Sequence, residues 1–198
     1  RQGIAAAVTG LTLVLADGST LECSRDVEPD VFAAAAVGLG ALGVVTEVEL
    51  ACVPAYRLHA KESSEALSDL LPRLQAEADT HDHLDLHWFP HTDRVLVKRN
   101  DVVGAQQGPP PLAPWRARLD DDLLANRVFE VINRGAAALP ASVPVINRAT
   151  ARVLGAREFA DDSWKVFCSS REVRFVESEY GVPRHALEAV LAELRAWF

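Results

Sequence analysis

The run Gly38-Leu39-Gly40-Ala41-Leu42-Gly43 spells G-x-G-x-x-G, and its flanks limit the fold more than any other feature of the chain. A dinucleotide-binding turn needs a strand before such glycines and a helix after them, so that the pyrophosphate meets the helix N-terminus. Here the order is reversed. Pro29-Asp30 opens an alanine-dense segment, Val31–Val37, that reads as a short helix with Asp30 as candidate N-cap. Val44–Val53 is β-branched and alternates poorly, so it reads as a strand buried on both faces. The flanks argue against an NAD-type fingerprint. The plain reading is a helix C-cap and a tight turn, where glycine adopts positive φ.

Local signals organise the rest. Val8–Ala16 and Ser19–Ser24 are β-like runs joined by Asp17-Gly18, a strong hairpin signal. Pro54 marks a boundary. Tyr56–Lys61 alternates like a strand. Ser63–Ala78 reads as a helix, with Leu67, Leu70, Leu71 and Leu74 on one face and a kink at Pro72. Leu84–Phe89 and Arg94–Val103 read as a second hairpin. In its first arm Leu84, Leu86 and Trp88 oppose Asp85 and His87; in its second, Val95 and Val97 alternate with Arg94, Leu96 and Lys98. Gly104–Pro114, with its run of prolines, is a loop. Helical patterns cover about 116–138 and 144–154, Val166–Glu177 reads as a strand, and Pro183-Arg184 starts an amphipathic helix through Trp197. The fold class is α+β: a βαβ-like part at 1–54, then a part at 55–198 with helices on one face of an antiparallel sheet.

Composition removes several function classes. At 198 residues and 49% hydrophobic, the chain can bury a core without disulfides. A net charge of -8 disfavours nucleic acid as a partner. Cys23, Cys52 and Cys168 lie far apart with no C-x-x-C spacing, so neither a disulfide framework nor a zinc site is read. No apolar run approaches the length of a membrane-spanning helix, and the first residues lack the marks of a signal peptide. The chain opens on Arg1 and contains no methionine, from which we expect a piece of a larger protein.

Few side chains suggest chemistry directly. His81, His83, His87 and His91 lie among Asp82, Asp85 and Asp93. Imidazole and carboxylate make good metal ligands, but a solvated sheet face explains His81 and His83, and no metal is assigned. His91, in the turn after Pro90, is retained as a substrate-side candidate. Glu177 and Glu179 share one face of the expected strand, near Arg174 and Arg184. Such a pair can supply a general base or ion pairs along a strand, and Glu179 is the second candidate. Cys168, Ser169 and Ser170 have no base at a nucleophile's spacing, and G-x-S-x-G is absent, so hydrolase chemistry is set aside.

Longer stretches carry a resemblance. GLTLVLADGS (10–19) and PDVFAAAAVGLGALGVVTEVEL (29–50) resemble the end of the FAD-binding domain of vanillyl-alcohol-oxidase-type flavoproteins. LHWFPHTDRVLVKRND (86–101) and VESEYGVPR (176–184) resemble their sugar-1,4-lactone branch, which holds L-gulonolactone oxidase, D-arabinono-1,4-lactone oxidase and the related alditol oxidases.

The resemblance implies that 1–54 is the C-terminal part of an FAD-binding domain and 55–198 an incomplete cap that shapes the substrate pocket. It implies FAD as cofactor, a sugar lactone or alditol as substrate, and oxygen or another molecule as electron acceptor. Val45, flanked by Val44 and Gly43, is where the backbone would meet FAD, with Ile4 a further contact; Lys98-Arg99 reads as a surface pair, or as positive charge near the flavin. The family's phosphate-binding segments would precede Arg1, and its Glu-x-Arg and His-Trp-Gly-Lys segments would follow Phe198. No catalytic residue is therefore assigned within the chain. Alone it is expected to bind FAD weakly, to be inactive and to associate through exposed apolar surface; the missing N- and C-terminal segments count among its partners. Its expected place is the cytoplasm, with membrane association as the variant. The rival reading is a non-catalytic α+β ligand-binding or interaction module with structural glycines.

Overall fold

The computed structural model describes residues 3–118, 126–168, 172–174 and 176–198. The chain divides into two compact units, Arg1–Pro54 and Ala55–Phe198.

In the first unit β1 (Val8–Val14) and β2 (Thr20–Ser24) form the Asp17-Gly18 hairpin; α1 (Pro29–Ala35) follows, then β3 (Val44–Leu50). The sheet is antiparallel in the order β2-β1-β3. Gly18 takes φ 84°, and the Asp17 carboxylate accepts from the Ser19 amide at 2.9 Å and its hydroxyl at 2.6 Å. Those two bonds hold the Asp17 carboxyl below its usual range. Leu11, Leu13, Val8, Cys23 and Phe32 form the core, with Leu21, Val31 and Ala35 packed around it.

Two expectations fail in this unit. The residue before α1 is Glu28, in the left-handed region at φ 48° and without a side-chain cap bond; Asp30 sits inside the first turn, where its charge faces the helix dipole. All seven residues of β3 are exposed rather than buried on both faces. Among the described residues β3 is an edge strand paired only with β1, and α1 packs on β1 and β2. Its poor alternation has another cause. A register irregularity between Thr12 and Leu13 breaks the two-residue period, pairing Thr12 with Glu47 but Leu13 with Val45.

The second unit contains β4 (Arg57–Ala66), α2 (Leu67–Leu70), α3 (Leu74–Thr80), β5 (His83–Trp88), β6 (Arg94–Val103), α4 (Pro114–Arg118), α5 (Phe129–Ala138), α6 (Val143–Val153), β7 (Arg157–Asp162), α7 (Ser163–Phe167) and α8 (Leu187–Trp197). Its sheet is antiparallel in the order β5-β6-β4-β7. The leucine stripe Leu67, Leu70 and Leu74 packs on Val95 and Val97, with Leu84, Leu86, Trp88 and Leu187 around them. Pro72 breaks the stripe into α2, one 3-10 turn and α3.

Two further expectations are corrected. Ser63–Ala66 are strand, not helix: they pair residue for residue with Val97 back to Arg94, and this pairing overrides local preference. In the segment expected as a strand at Val166–Glu177, Val166 and Phe167 are helical, and the other described residues lack regular structure. The sheet instead takes β7, whose Arg-Glu-Phe-Ala-Asp-Asp sequence carries little strand signal and is selected by pairing with β4. Of the helix expected over 116–138, α4 and α5 account for the ends, and 119–125 lie outside the described residues. Among the described residues no helix is long and apolar enough to cross a membrane.

Candidate functional site

The glycine turn has the order the sequence implies, helix entering and strand leaving, so the phosphate-gripping arrangement is absent. The glycines answer to backbone crowding. A Cβ on Gly38 would lie 2.6 Å from the Ala34 carbonyl oxygen, and one on Gly43 would lie 2.6 Å from that of Val14. Leu39 and Gly40 take positive φ, 50° and 79°, and Ala41 N donates to Gly38 O at 2.9 Å. Gly43 therefore brings the start of β3 against the end of β1. Beyond it, Val44 and Val45 present small apolar side chains, Val45 being 40% exposed.

Ile4 does not join them. It lies in a one-turn 3-10 helix, Ile4–Ala7, and Ala7 O accepts from Ala51 N beyond the far end of β3. Val44 pairs with Val14, whereas Leu50 pairs with Val8. The length of β1, roughly 20 Å at 3.3 Å per residue, thus separates Ile4 from Gly43–Val45.

An open groove of about 500 Å³ lies on the sheet of the first unit and is lined in part by Thr12, Glu22, Glu47 and Glu49. Its charged side chains are carboxylates, with Thr12 Oγ1 3.5 Å from Glu47. Arg25 is the unit's one described cation, and it reaches the Ala6 carbonyl at 3.5 Å. Such a groove repels a pyrophosphate.

The substrate-side candidates lie 88 positions apart in the chain and in different local structure. His91 occupies the tip between β5 and β6, exposed, at φ 67°. The tip is tied down: Trp88 Nε1 donates to Thr92 O at 2.9 Å, Thr92 Oγ1 to Phe89 O at 2.8 Å and Asn147 Nδ2 to Pro90 O at 3.1 Å. The His91 ring meets that of Phe198 edge-on, centroids 6.1 Å apart. Glu179 is exposed in an irregular stretch, so the strand face it was to share with Glu177 does not form. Arg184 instead pairs with Asp79 at 2.8 Å and donates to Gln75 O.

The histidine and basic groups are also reassigned. His81 is not part of a solvated face: Nδ1 lies 2.8 Å from Asp101, and Nε2 3.6 Å from Glu77. His83 meets the Phe167 ring edge-on at 4.9 Å. Among the described residues no group of three His, Cys, Asp or Glu is placed to hold a metal.

Lys98 and Arg99, read as one surface pair, point to opposite faces, as strand neighbours must. Lys98 stands 3.9 Å from Glu62, which also holds Arg157 through two bonds of 2.8 and 2.9 Å. Arg99 is only 8% exposed and donates to Glu77 at 2.6 Å, to Glu65 at 2.8 Å and to Ser63 at 3.0 Å. Arg73 closes the ring by bonding the same two glutamates. Partial burial works against ionising Glu65, but the Arg99 and Ser63 hydrogen bonds outweigh it and pull the carboxyl down to about 2. Glu77 is lowered as well, by the Arg99 hydrogen bond against its own burial.

Sequence reading also missed Asp93, counted only among possible ligands. Its carboxylate accepts from the Ser68 amide at 3.2 Å and hydroxyl at 2.6 Å, and lies 3.3 Å from Arg195. The Trp-Phe-Pro-His-Thr-Asp segment thus anchors the hairpin tip, the start of α2 and α8. A serine one residue inside the helix with no capping residue before it was the available signal.

Residues 48–198 match the D-arabinono-1,4-lactone oxidase family. The chain belongs to this family. The match begins within β3 and runs through the whole second unit, so both stretches that resemble the sugar-lactone branch fall inside it. Among lactone-oxidase relatives, the L-gulono-1,4-lactone dehydrogenase of Mycobacterium tuberculosis (strain ATCC 25618 / H37Rv) is 32% identical over 198 residues, covering 98% of this chain and 45% of that protein. The L-gulonolactone oxidase of Mus musculus is 32% identical over 197 residues, covering 98% and 43%. This family member therefore spans less than half the length of those relatives. In fold it is similar to the cholesterol oxidase of B. sterolicum, with a TM-score of 0.69 at 16% identity over 99% of this chain and 40% of that one. The family member thus has an α+β fold of the vanillyl-alcohol-oxidase type.

Proposed function

We propose that the full-length polypeptide carrying this sequence is an FAD-dependent oxidoreductase that oxidises a hydroxyl of a gulono-, galactono- or arabinono-1,4-lactone. The family match over 48–198 carries the reading, and the lactone oxidases and dehydrogenases aligned over nearly the whole chain support it. Residues 1–54 would be the last part of the FAD-binding domain and 55–198 most of the cap.

The residues present fit one edge of FAD and not its phosphates. Gly43 leaves no room for a side chain against Val14, and the small side chains of Val44 and Val45 stand open beside a backbone edge. In this reading that edge receives the flat part of the dinucleotide, the valines exclude water, and Ile4 contacts a distant part of an extended cofactor. The acidic groove and the single described cation of the first unit supply no phosphate site, so those donors belong to other parts of the polypeptide. FAD held along the Gly43–Val45 edge would supply a hydride acceptor for the lactone carbon and a route for the electrons to oxygen or another acceptor. His91 and Glu179 remain substrate-side candidates, and no catalytic residue is assigned within this chain.

The test is to express the full-length polypeptide, confirm bound flavin and follow anaerobic bleaching with gulono-, galactono- and arabinono-lactone and with xylitol. Bleaching by at least one lactone is expected. A flavoprotein that bleaches with xylitol alone, or with none of the four, overturns the substrate assignment. The 198-residue chain alone is expected to bind FAD weakly and turn over no lactone; tight stoichiometric binding in an absorbance titration refutes that part. We place the protein in the cytoplasm or on a membrane surface, which cell fractionation distinguishes.

A further inference from the structure

We draw no further inference here: the strongest candidate, the open groove of about 500 Å³ on the β2-β1-β3 sheet where Glu22, Glu47 and Glu49 gather, is an acidic cluster with no second observation among the described residues that points to a ligand.

Discussion

Replacing Arg99 by methionine should be among the most damaging single changes in the second unit. The Arg99 side chain is 9% exposed and bonds two glutamates whose side chains are 20% and 14% exposed. Without it, Glu65 and Glu77 stay partly buried and share one remaining arginine, Arg73. Breaking a buried pair by removing one partner costs about 3–5 kcal/mol. The pH dependence gives a separate magnitude. Glu65 is depressed from 4.5 to about 2, and at about 1.4 kcal/mol per pH unit its bonds to Arg99, Ser63 and Arg73 together contribute about 3–4 kcal/mol at neutral pH. The folded value lies below the unfolded one, so this stability is fully present above pH 4.5 and is lost as pH falls toward 2. Denaturant unfolding followed by tryptophan fluorescence, at several values between pH 7 and pH 3, measures both quantities. Arg99→Met should lower stability by about 3 kcal/mol at pH 7, and its deficit should shrink on acidification. Combining it with Glu65→Leu and Glu77→Leu should recover much of the loss, because no uncompensated charge is then buried. A deficit under about 1 kcal/mol at pH 7, or one that stays constant down to pH 3, refutes the argument.

Other predictions rest on separate contacts. Asp93→Ala removes the acceptor for Ser68 and the partner of Arg195, and should cost about 1–2 kcal/mol in denaturant unfolding. Gly43→Ala places a Cβ 2.6 Å from Val14 O and should force β1 and β3 apart; the full-length protein should then purify with less flavin. Gly135→Ala, in α5 with nothing within 4 Å of the new Cβ, is the contrast, and should stabilise by about 0.5–1 kcal/mol. His91→Gly suits φ 67° and should leave stability equal or slightly higher. If His91 touches the lactone, KM rises in that variant; an unchanged KM removes it from the site.

What could be read from the sequence was encoded over a few residues. Asp17-Gly18 imposes a turn because glycine tolerates φ 84° and the neighbouring aspartate bonds Ser19. Leu67, Leu70 and Leu74 repeat at helical spacing, Pro72 interrupts them, and Val95 and Val97 alternate with Arg94, Leu96 and Lys98; each pattern has its cause within one or two turns of chain. At the candidate site, the helix–glycine–strand order belongs to the same class. Tertiary structure decided whatever depends on distant partners. Ser63–Ala66 became strand because Arg94–Val97 lie alongside, and Arg157–Asp162 joined the sheet because β4 offered an edge. The exposure of β3 and the separation of Ile4 from Val45 depend on which strand lies beside which, and over what length. Arg99 became an internal cation because Glu65 and Glu77, 34 and 22 positions away, converge on it, and Glu62 meets Arg157 across 95 positions. Turns and periodicities arise from backbone sterics and local side-chain spacing, whereas burial and charge pairing exist only after the chain has brought remote groups together.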